Sequence, residues 1–208
     1  MRGPPVGQSA AVSVASLEAP ARSDEALVLL ARAGDLAAFE ELVSRHRAVV
    51  VRVAARIAGT SDAEDLAQET FLRAFHRLDQ YRGDSPFRSW LLRIAHNTAL
   101  NYTTRRRATL PLEDETGAAR VPASGVRTPA DELELSERRE RLALKLREVQ
   151  PNHRAVLVLR DLEGLTYEEI AEITGSPLGS VKGRLFRARR ELIDVLRNNT
   201  YDWELPAA

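Results

Sequence analysis

The sequence predicts an all-α protein made of two small helical domains joined by a flexible linker, the second domain ending in a helix-turn-helix. Three observations favour this fold. The 208-residue chain is 44% hydrophobic but only 5% aromatic, which favours aliphatic helical cores over sheets. Its apolar residues recur at the spacing of three and four that helices require. Residues 108–130, rich in Pro, Gly, Thr and acidic side chains, interrupt that spacing and are predicted to be the linker.

The first domain is predicted to follow a disordered tail of residues 1–23, which is rich in Ala, Pro, Ser and Gly. A short helix is expected from Asp24 to Ala33. Asp35 should then cap a longer helix that runs to Ala58, because a short acceptor side chain before an apolar, helically spaced run is a helix start signal.

A third helix is predicted over residues 62–79, and its inner face is expected to include Phe75 and Leu78. The opposite face carries carboxylates, an amide and an exposed leucine. Such a face is typical of a protein-binding surface, but also of an ordinary solvated helix. The outward or border residues are Glu64, Asp65, Gln68, Glu69, Leu72, Arg73 and His76.

The fourth helix is predicted from Phe87, itself an inner residue, to Arg107, with Ser85 as its cap and Pro86 in its first turn. Its outer face carries amides and cations three or four residues apart. This arrangement suits single-stranded or melted nucleic acid, whose splayed bases stack and form hydrogen bonds. An amide-rich solvated surface is the alternative. The outer ridge comprises Arg93, Asn97, Asn101 and Thr104.

The second domain is predicted over residues 131–197, before a frayed tail at 198–208. One helix should stop at Gln150. Asn152 is expected to cap the next helix, which should end at Leu162 with that leucine facing inward.

A helix-turn-helix is predicted to follow. Thr166 and Glu169 form a capping box at the start of its short first helix. Gly175 can take the left-handed conformation that ends a helix, Ser176 should cap the next helix, and Pro177 fits its first turn.

The second helix of this motif has an outward face that core packing does not explain, because Phe186 stands there among cations and glycines. A helix laid in the major groove accounts for it: phosphates attract Arg and Lys, thymine methyl groups attract Phe, and glycine permits close approach. A solvated basic face on an ordinary helical hairpin is the alternative. The outward residues are Gly179, Lys182, Gly183, Phe186, Arg187 and Arg190.

The charge of the chain is balanced overall but unevenly distributed. Formal net charge is zero, although residues 182–197 hold six cations and two anions. We therefore expect weak DNA binding by the free protein, with a larger partner supplying most of the affinity. The chain has no Cys, which excludes disulfides and thiolate metal sites. It has no apolar run of membrane-spanning length and no signal-peptide core, so a cytoplasmic location is expected.

Three signatures occur in order along the chain: Asp62-Ala-Glu-Asp-Leu-Ala-Gln-Glu-Thr-Phe, Phe87-Arg-Ser-Trp-Leu-Leu-Arg-Ile-Ala-His-Asn, and Leu165-Thr-Tyr-Glu-Glu-Ile-Ala-Glu-Ile with Ser180-Val-Lys-Gly-Arg-Leu-Phe. Together they resemble the extracytoplasmic-function sigma factors of bacterial RNA polymerase. The resemblance implies that residues 24–107 form sigma domain 2, which binds the polymerase and recognises and melts the minus-ten element. Residues 131–197 would form sigma domain 4, which recognises the minus-thirty-five element.

The resemblance also implies contact residues and partners. The partners would be core RNA polymerase, through the clamp helices of its largest subunit and the flap of its second-largest subunit, together with promoter DNA and an anti-sigma factor. The clamp would contact Asp65, Gln68, Glu69, Leu72 and Arg73. The minus-ten element, including a flipped base, would contact Ser85, Phe87, Arg88, Trp90, Arg93, Asn97 and Asn101. The minus-thirty-five element would contact Ser180, Lys182, Gly183, Arg184, Phe186, Arg187 and Arg190. At Gly183 the family usually has a small hydroxyl residue.

Two other classes of protein are alternatives. A helix-turn-helix regulator with an amino-terminal sensory domain would need a ligand pocket or phosphoacceptor, and residues 24–107 give no signal of a convergent polar cavity. An enzyme is the second alternative. However, His46, His76, His96 and His153 lie on different predicted helices without metal-ligand spacing, and the sequence has no phosphate loop or nucleophile elbow. We therefore expect no catalytic residues, no metal and no cofactor.

Overall fold

A computed structural model describes residues 22–109 and 141–198, with the side chains of 107–109 excepted. Every regular element within these ranges is helical, as the sequence predicted. Nearly all of the predicted linker, residues 131–140 of the predicted second domain and nearly all of both predicted tails lie outside the described residues. Among the described helices, none combines the length and hydrophobicity needed to cross a membrane.

The first domain contains four helices, two of which start at side-chain caps: Asp35, as predicted, and Ser23, which was assigned to the tail. Ser23 Oγ accepts a hydrogen bond from the amide of Ala26, and Asp35 Oδ1 accepts one from the amide of Ala38 at 3.2 Å. Gly59, at φ 113°, follows the second helix and ends it. The helices are α1 (Asp24–Arg32), α2 (Leu36–Ala58), α3 (Ala63–His76) and α4 (Phe87–Thr109), with one 3₁₀ turn at Leu78–Gln80.

Helix α2 is the centre of the first domain, because it packs against α1, α3 and α4. Leu42, Val53 and Ile57 are fully buried on its inner face, at the spacing that sequence analysis used to predict the helix. His46 is also buried on this face, which the sequence did not indicate. Its Nε2 lies 2.7 Å from Asp24 Oδ2, so the buried ring has a polar partner.

The second domain is described from residue 141. The helix that follows residues 141–148 starts at Pro151, with Gln150 as its N-cap. The prediction that Asn152 caps this helix is therefore wrong, because Asn152 is an exposed residue of its first turn. The described helices are α5 (the part at 141–148), α6 (Pro151–Leu157), α7 (Tyr167–Thr174) and α8 (Leu178–Arg197), with α6 packed on α8 and α7 on α8.

Helix α6 continues directly into a π-helical turn, Val158–Leu162. A π turn inserts one residue more than an α-helical turn and therefore shifts the face that each later residue occupies. Leu162, predicted to face inward, is 37% exposed. The side chain of Glu163, by contrast, is only 3% exposed.

The predicted helix caps next to two other prolines are also wrong. Pro177, at φ −57° and ψ 144°, is itself the N-cap of α8, and Ser176 Oγ lies 3.4 Å from the carbonyl oxygen of Thr174 instead of capping α8. Similarly, the carbonyl of Pro86 accepts the first amide hydrogen bonds of α4, so Ser85 precedes the cap position. Proline disfavours helical backbone at the residue before it, but its own fixed φ is compatible with the extended N-cap conformation.

Phe75 was predicted to lie in the core of α3, but the residue is 40% exposed. Its ring meets that of Phe39 edge to face, with centroids 4.9 Å apart. Phe39 lies in the first turn of α2 and covers one side of the Phe75 ring, leaving the other to solvent. The other predicted inner residues of α3, including Phe71 and Ala74, are buried.

The two domains pack against each other in this structure. Helix α4 of the first domain contacts α6 and α7 of the second, and α2 contacts α6 and the π turn. Most of their buried apolar residues form one continuous cluster, and Ala54, Ala63 and Leu66 form a second one within the first domain. The predicted DNA-reading helix of the first domain therefore lies beside the helix-turn-helix.

Candidate nucleic-acid and polymerase interfaces

The first helix of the helix-turn-helix starts and ends as the sequence predicted. Thr166 Oγ1 accepts the amide of Glu169 at 3.2 Å, and the Glu169 carboxylate accepts the amide of Thr166 at 2.8 Å. Gly175 has φ 60° and ψ 30°, the left-handed conformation that ends α7. These local interactions fix where α8 begins and hence which of its faces turns outward.

The outer face of α8 is exposed, as predicted. Phe186 is 71% exposed, an uncommon state for a large aromatic side chain unless a partner covers it. Lys182 Nζ stands 5.8 Å from the centre of the Tyr167 ring on α7, a contact that the sequence analysis did not identify. The remaining predicted residues of this face are exposed at Ser180, Arg187 and Arg190 and half-buried at Gly183 and Arg184.

An ion pair that the sequence analysis did not identify fixes α8 on α6. Arg189 Nη2 donates to Asp161 Oδ1 at 2.6 Å and Arg189 Nε to Asp161 Oδ2 at 3.2 Å, a two-pronged contact. This hydrogen bonding raises the pKa of Arg189. Glu191, also on α8, accepts the amide of Gln150, the N-cap of α6. Both contacts orient the outer face of α8.

The predicted polymerase-binding face of α3 is also at the surface. Asp65, Gln68 and Glu69 are exposed, and Leu72 is 61% exposed. Arg73 is half-buried and donates to Glu69 at 2.5 Å along the same helix. The face thus combines carboxylates, an amide and an accessible apolar side chain; it is accessible to a protein partner, and such a face is also typical of an ordinary solvated helix.

The loop before α4 rests on an aromatic cluster. Phe87, predicted both as an inner residue and as part of the minus-ten reader, is 1% exposed, with its ring against those of Tyr81 and Trp90. It cannot touch a base in this conformation and instead supports the half-buried Trp90 and Ser85. Tyr81, which sequence analysis assigned only to a loop, donates from its hydroxyl to the carbonyl of Ser85 at 2.8 Å.

The polar ridge of α4 is exposed at Arg93, Asn97 and Asn101, as the helical spacing predicted. It runs towards the second domain: a Cβ placed on Gly175 would lie 3.8 Å from Arg93 Nη2. Arg88, at the start of the same helix, lies 3.9 Å from Glu163 of the second domain. Part of the predicted minus-ten reader therefore contacts the helix-turn-helix domain.

His96 lies beneath this ridge and is 5% exposed. Burial lowers its pKa, because the charged imidazolium would lose its hydration, and the nearby Arg184 lowers it further. The hydrogen bond between its Nδ1 and Asn97 Oδ1, 3.2 Å long, acts in the opposite direction. His96 thus connects an Asn of the ridge on α4 with a predicted DNA-reading residue of α8.

A helical domain with an exposed amide ridge, followed by a helix-turn-helix with an exposed basic and aromatic face, defines a DNA-binding transcription protein. Comparisons with known proteins specify the family. The family model described as Sigma-70 region 2 matches residues 42–109, and the one described as Sigma-70, region 4 matches residues 139–192. The first range covers most of α2 and all of α3 and α4, and the second covers the described helices from α5 to most of α8.

Curated relatives give the same result over most of the chain. The ECF RNA polymerase sigma-E factor of Haemophilus influenzae is 38% identical over 179 residues, covering 83% of this chain and 94% of that protein. The sigma-E factor of Escherichia coli K12 is 38% identical over 182 residues, covering 83% and 93%. The chain belongs to the extracytoplasmic-function sigma factors, a family of transcription initiation factors.

A solved structure is similar to this one in both sequence and fold. In the structure of CnrH in complex with the cytosolic domain of CnrY, the matched chain is 30% identical, with a TM-score of 0.63, covering 86% of this chain and all of that one. The sigma factor RpoE of Bartonella quintana, in complex with the anti-sigma factor NepR, shares the fold at 22% identity and a TM-score of 0.59.

Proposed function

We propose that this sigma factor binds core RNA polymerase through the outer face of α3, melts and reads the minus-ten element with α4 and its preceding loop, and reads the minus-thirty-five element with α8. The observation that carries this proposal is the exposure of Phe186 among cations on the second helix of a helix-turn-helix. In this proposal the sigma factor works in the bacterial cytoplasm by binding polymerase and promoter DNA, with no enzymatic activity of its own.

An anti-sigma factor is the expected regulatory partner. CnrH, which is similar to this chain over 86% of its length, was solved in complex with the cytosolic domain of CnrY. The exposed apolar residues on the first domain, such as Leu72 and Leu36, offer accessible area for such a partner. An anti-sigma factor that covered α3 would compete with the polymerase for the same face.

The alternative of a sensory regulator is not favoured. Its amino-terminal half would have to be a ligand-binding or phosphoacceptor domain, whereas residues 42–109 match Sigma-70 region 2.

Run-off transcription tests the proposed function. Purified chain added to core RNA polymerase should yield discrete transcripts from a subset of genomic fragments, and core alone should yield none. A dimeric chain that bound duplex DNA specifically without polymerase, and failed to direct core to any fragment, would contradict the proposal.

A further inference from the structure

The contact between the two domains is organised around one carboxylate, that of Glu163. Its side chain is 3% exposed and immediately precedes Gly164, which leads into the helix-turn-helix. Three arginines of the first domain surround it. Arg56 Nη1 donates to Glu163 Oε1 at 2.9 Å, Arg52 Nη2 donates to Oε2 at 3.1 Å, and Arg88 Nη2 lies 3.9 Å from Oε2.

A carboxylate so deeply buried is stable only when it is paired, and here the pairing comes entirely from the other domain. The arginines, in contrast, keep contact with solvent, with side chains 35%, 29% and 38% exposed for Arg52, Arg56 and Arg88. They stand on α2 and on the first turn of α4, so the first domain holds them together without help from the second. Glu163 therefore enters an anion site that belongs to the first domain.

Guanidinium groups bind carboxylate and phosphate by the same forked geometry, and phosphate carries the greater charge. The position of the site indicates which anion it serves. Arg88 lies one turn or more before Arg93 and Asn97 on α4, and directly follows the loop that carries Ser85. Arg88 itself belongs to the predicted minus-ten reader, so a melted strand that contacted this reader at Ser85 and Arg88 would bring its sugar-phosphate backbone to the three arginines.

We propose that Arg52, Arg56 and Arg88 bind a backbone phosphate of the melted promoter strand, and that Glu163 occupies this site in place of the phosphate while the two domains are packed together. The proposal rests on the proposed function in taking α4 as the surface on which the melted strand lies. Glu163 and a phosphate exclude each other, because both are anions that need the same donors. Packing of α7 on α4 and binding of DNA to α4 are therefore competing states of one chain.

Two variants break the same ion pairs, one from the Glu163 side and one from the arginine side. Their effects on DNA binding distinguish the proposed phosphate site from a contact that only holds the two domains together. We would measure binding of the full chain, without polymerase, to a fluorescein-labelled single-stranded DNA by anisotropy at low salt. Glu163→Gln should raise the affinity about tenfold, the scale of one charge-assisted hydrogen bond. Arg52→Gln combined with Arg56→Gln breaks the same pairs but should leave the affinity at or below that of the wild type.

The control is Asp161→Asn, which removes the same charge two residues away but from a pair with Arg189 inside the second domain. It should leave the affinity for single-stranded DNA unchanged. A rise in affinity for both Glu163→Gln and the double Arg variant would overturn the phosphate site and leave only a clamp. Equal rises for Glu163→Gln and Asp161→Asn would show a general charge effect and also overturn it.

A second measurement applies if Glu163→Gln fails to fold. Holoenzyme carrying Arg52→Gln and Arg56→Gln should bind a premelted promoter fragment about tenfold more weakly than the wild type, with a shallower dependence on salt. Unchanged binding and salt dependence would contradict the site. A wild-type chain that never activated core polymerase would instead contradict the proposed function. The anisotropy comparison contains no polymerase, so its result does not depend on that activity.

Discussion

Arg32 Nη2 lies 2.7 Å from the carbonyl oxygen of Tyr81, so the last turn of α1 holds the loop that leads into α4. The same guanidinium donates to the carbonyls of Leu78 at 3.0 Å and Asp79 at 2.5 Å. One side chain thereby satisfies three backbone acceptors just before the candidate minus-ten reader.

Replacing this guanidinium should destabilise the first domain. We expect Arg32→Met to lower the free energy of unfolding by about 2 to 3 kcal/mol, because hydrogen bonds to charged groups are worth about 1.5 to 3 kcal/mol each and are not additive. Urea unfolding measures the loss. The matched control, Arg77→Met, changes an exposed arginine of the same region and should stay within about 0.5 kcal/mol. Equal losses for the two variants would contradict the assigned role.

The outer face of α3 should control polymerase binding without affecting the fold. Gln68→Lys combined with Glu69→Lys adds one positive charge and reverses one negative charge at two exposed positions, so co-purification with core polymerase should be lost while helical circular dichroism is retained. Asp79→Lys with Gln80→Lys makes the same change in charge at another exposed site and should leave co-purification intact. Polymerase binding that survived the α3 change would remove this face from the interface.

The two DNA readers should fail in different ways. Asn97→Ala with Asn101→Ala should slow open-complex formation, whereas Lys182→Ala or Phe186→Ala should weaken initial promoter binding, since a good base contact is worth about 1 to 3 kcal/mol. On a template premelted at the minus-ten element, the Asn variant should recover much of its activity in a transcription assay and the α8 variants should not. Equal rescue of both sets, or of neither, would refute the division of labour.

Gly183 should be replaceable with a gain in stability. A Cβ there would meet only Arg187 Nη1, at an ordinary contact distance of 3.7 Å, so Gly183→Ala should raise the free energy of unfolding by about 1 kcal/mol. Gly59→Ala is the opposite case, because φ is 113° and the new Cβ would lie 3.0 Å from Arg147 Nη2. Thermal unfolding should therefore shift upward for the first variant and downward for the second. Shifts of the same sign would contradict this account.

The buried His96 should make stability depend on pH. Because its pKa is lowered in the folded chain from an ordinary value of 6.5, the unfolded chain binds a proton first as the pH falls. The stabilisation is complete above about pH 6.5 and is lost as pH falls towards the lower folded pKa. His96→Gln should flatten the dependence of the free energy of unfolding on pH, measured by urea denaturation. A variant whose pH dependence equals that of the wild type would show that other groups cause it.

Local signals in the sequence predicted most of the helices and their faces. The capping box at Thr166 and the left-handed Gly175 depend on residues within a few positions of each other, and both are present. The caps next to proline were shifted because Pro177 suits the N-cap as well as the first turn. Phe87 satisfied two patterns at once, an inner position and a reader motif, and only packing determines that it is buried.

The contacts between domains could not be predicted in this way. In the sequence Glu163 only follows the predicted helix end at Leu162, while its partners Arg56 and Arg52 are 107 and 111 residues away. Nor does any local pattern signal the π turn before it, because α and π turns have the same composition and differ by one residue in register. Long-range pairing of charges became apparent only from the folded chain.

The π turn also determines that Glu163 is the residue that reaches Arg52, Arg56 and Arg88. A single deletion within Val158–Leu162 would allow the helix to continue with ordinary α-helical periodicity, returning Leu162 to the apolar side and rotating the next carboxylate by about 100° around the axis. If Arg52, Arg56 and Arg88 form the proposed phosphate site, the length of that turn, rather than a change in any side chain, would set whether Glu163 covers it. A change of one codon in length is a short evolutionary step between a self-covered and an open form of the same protein.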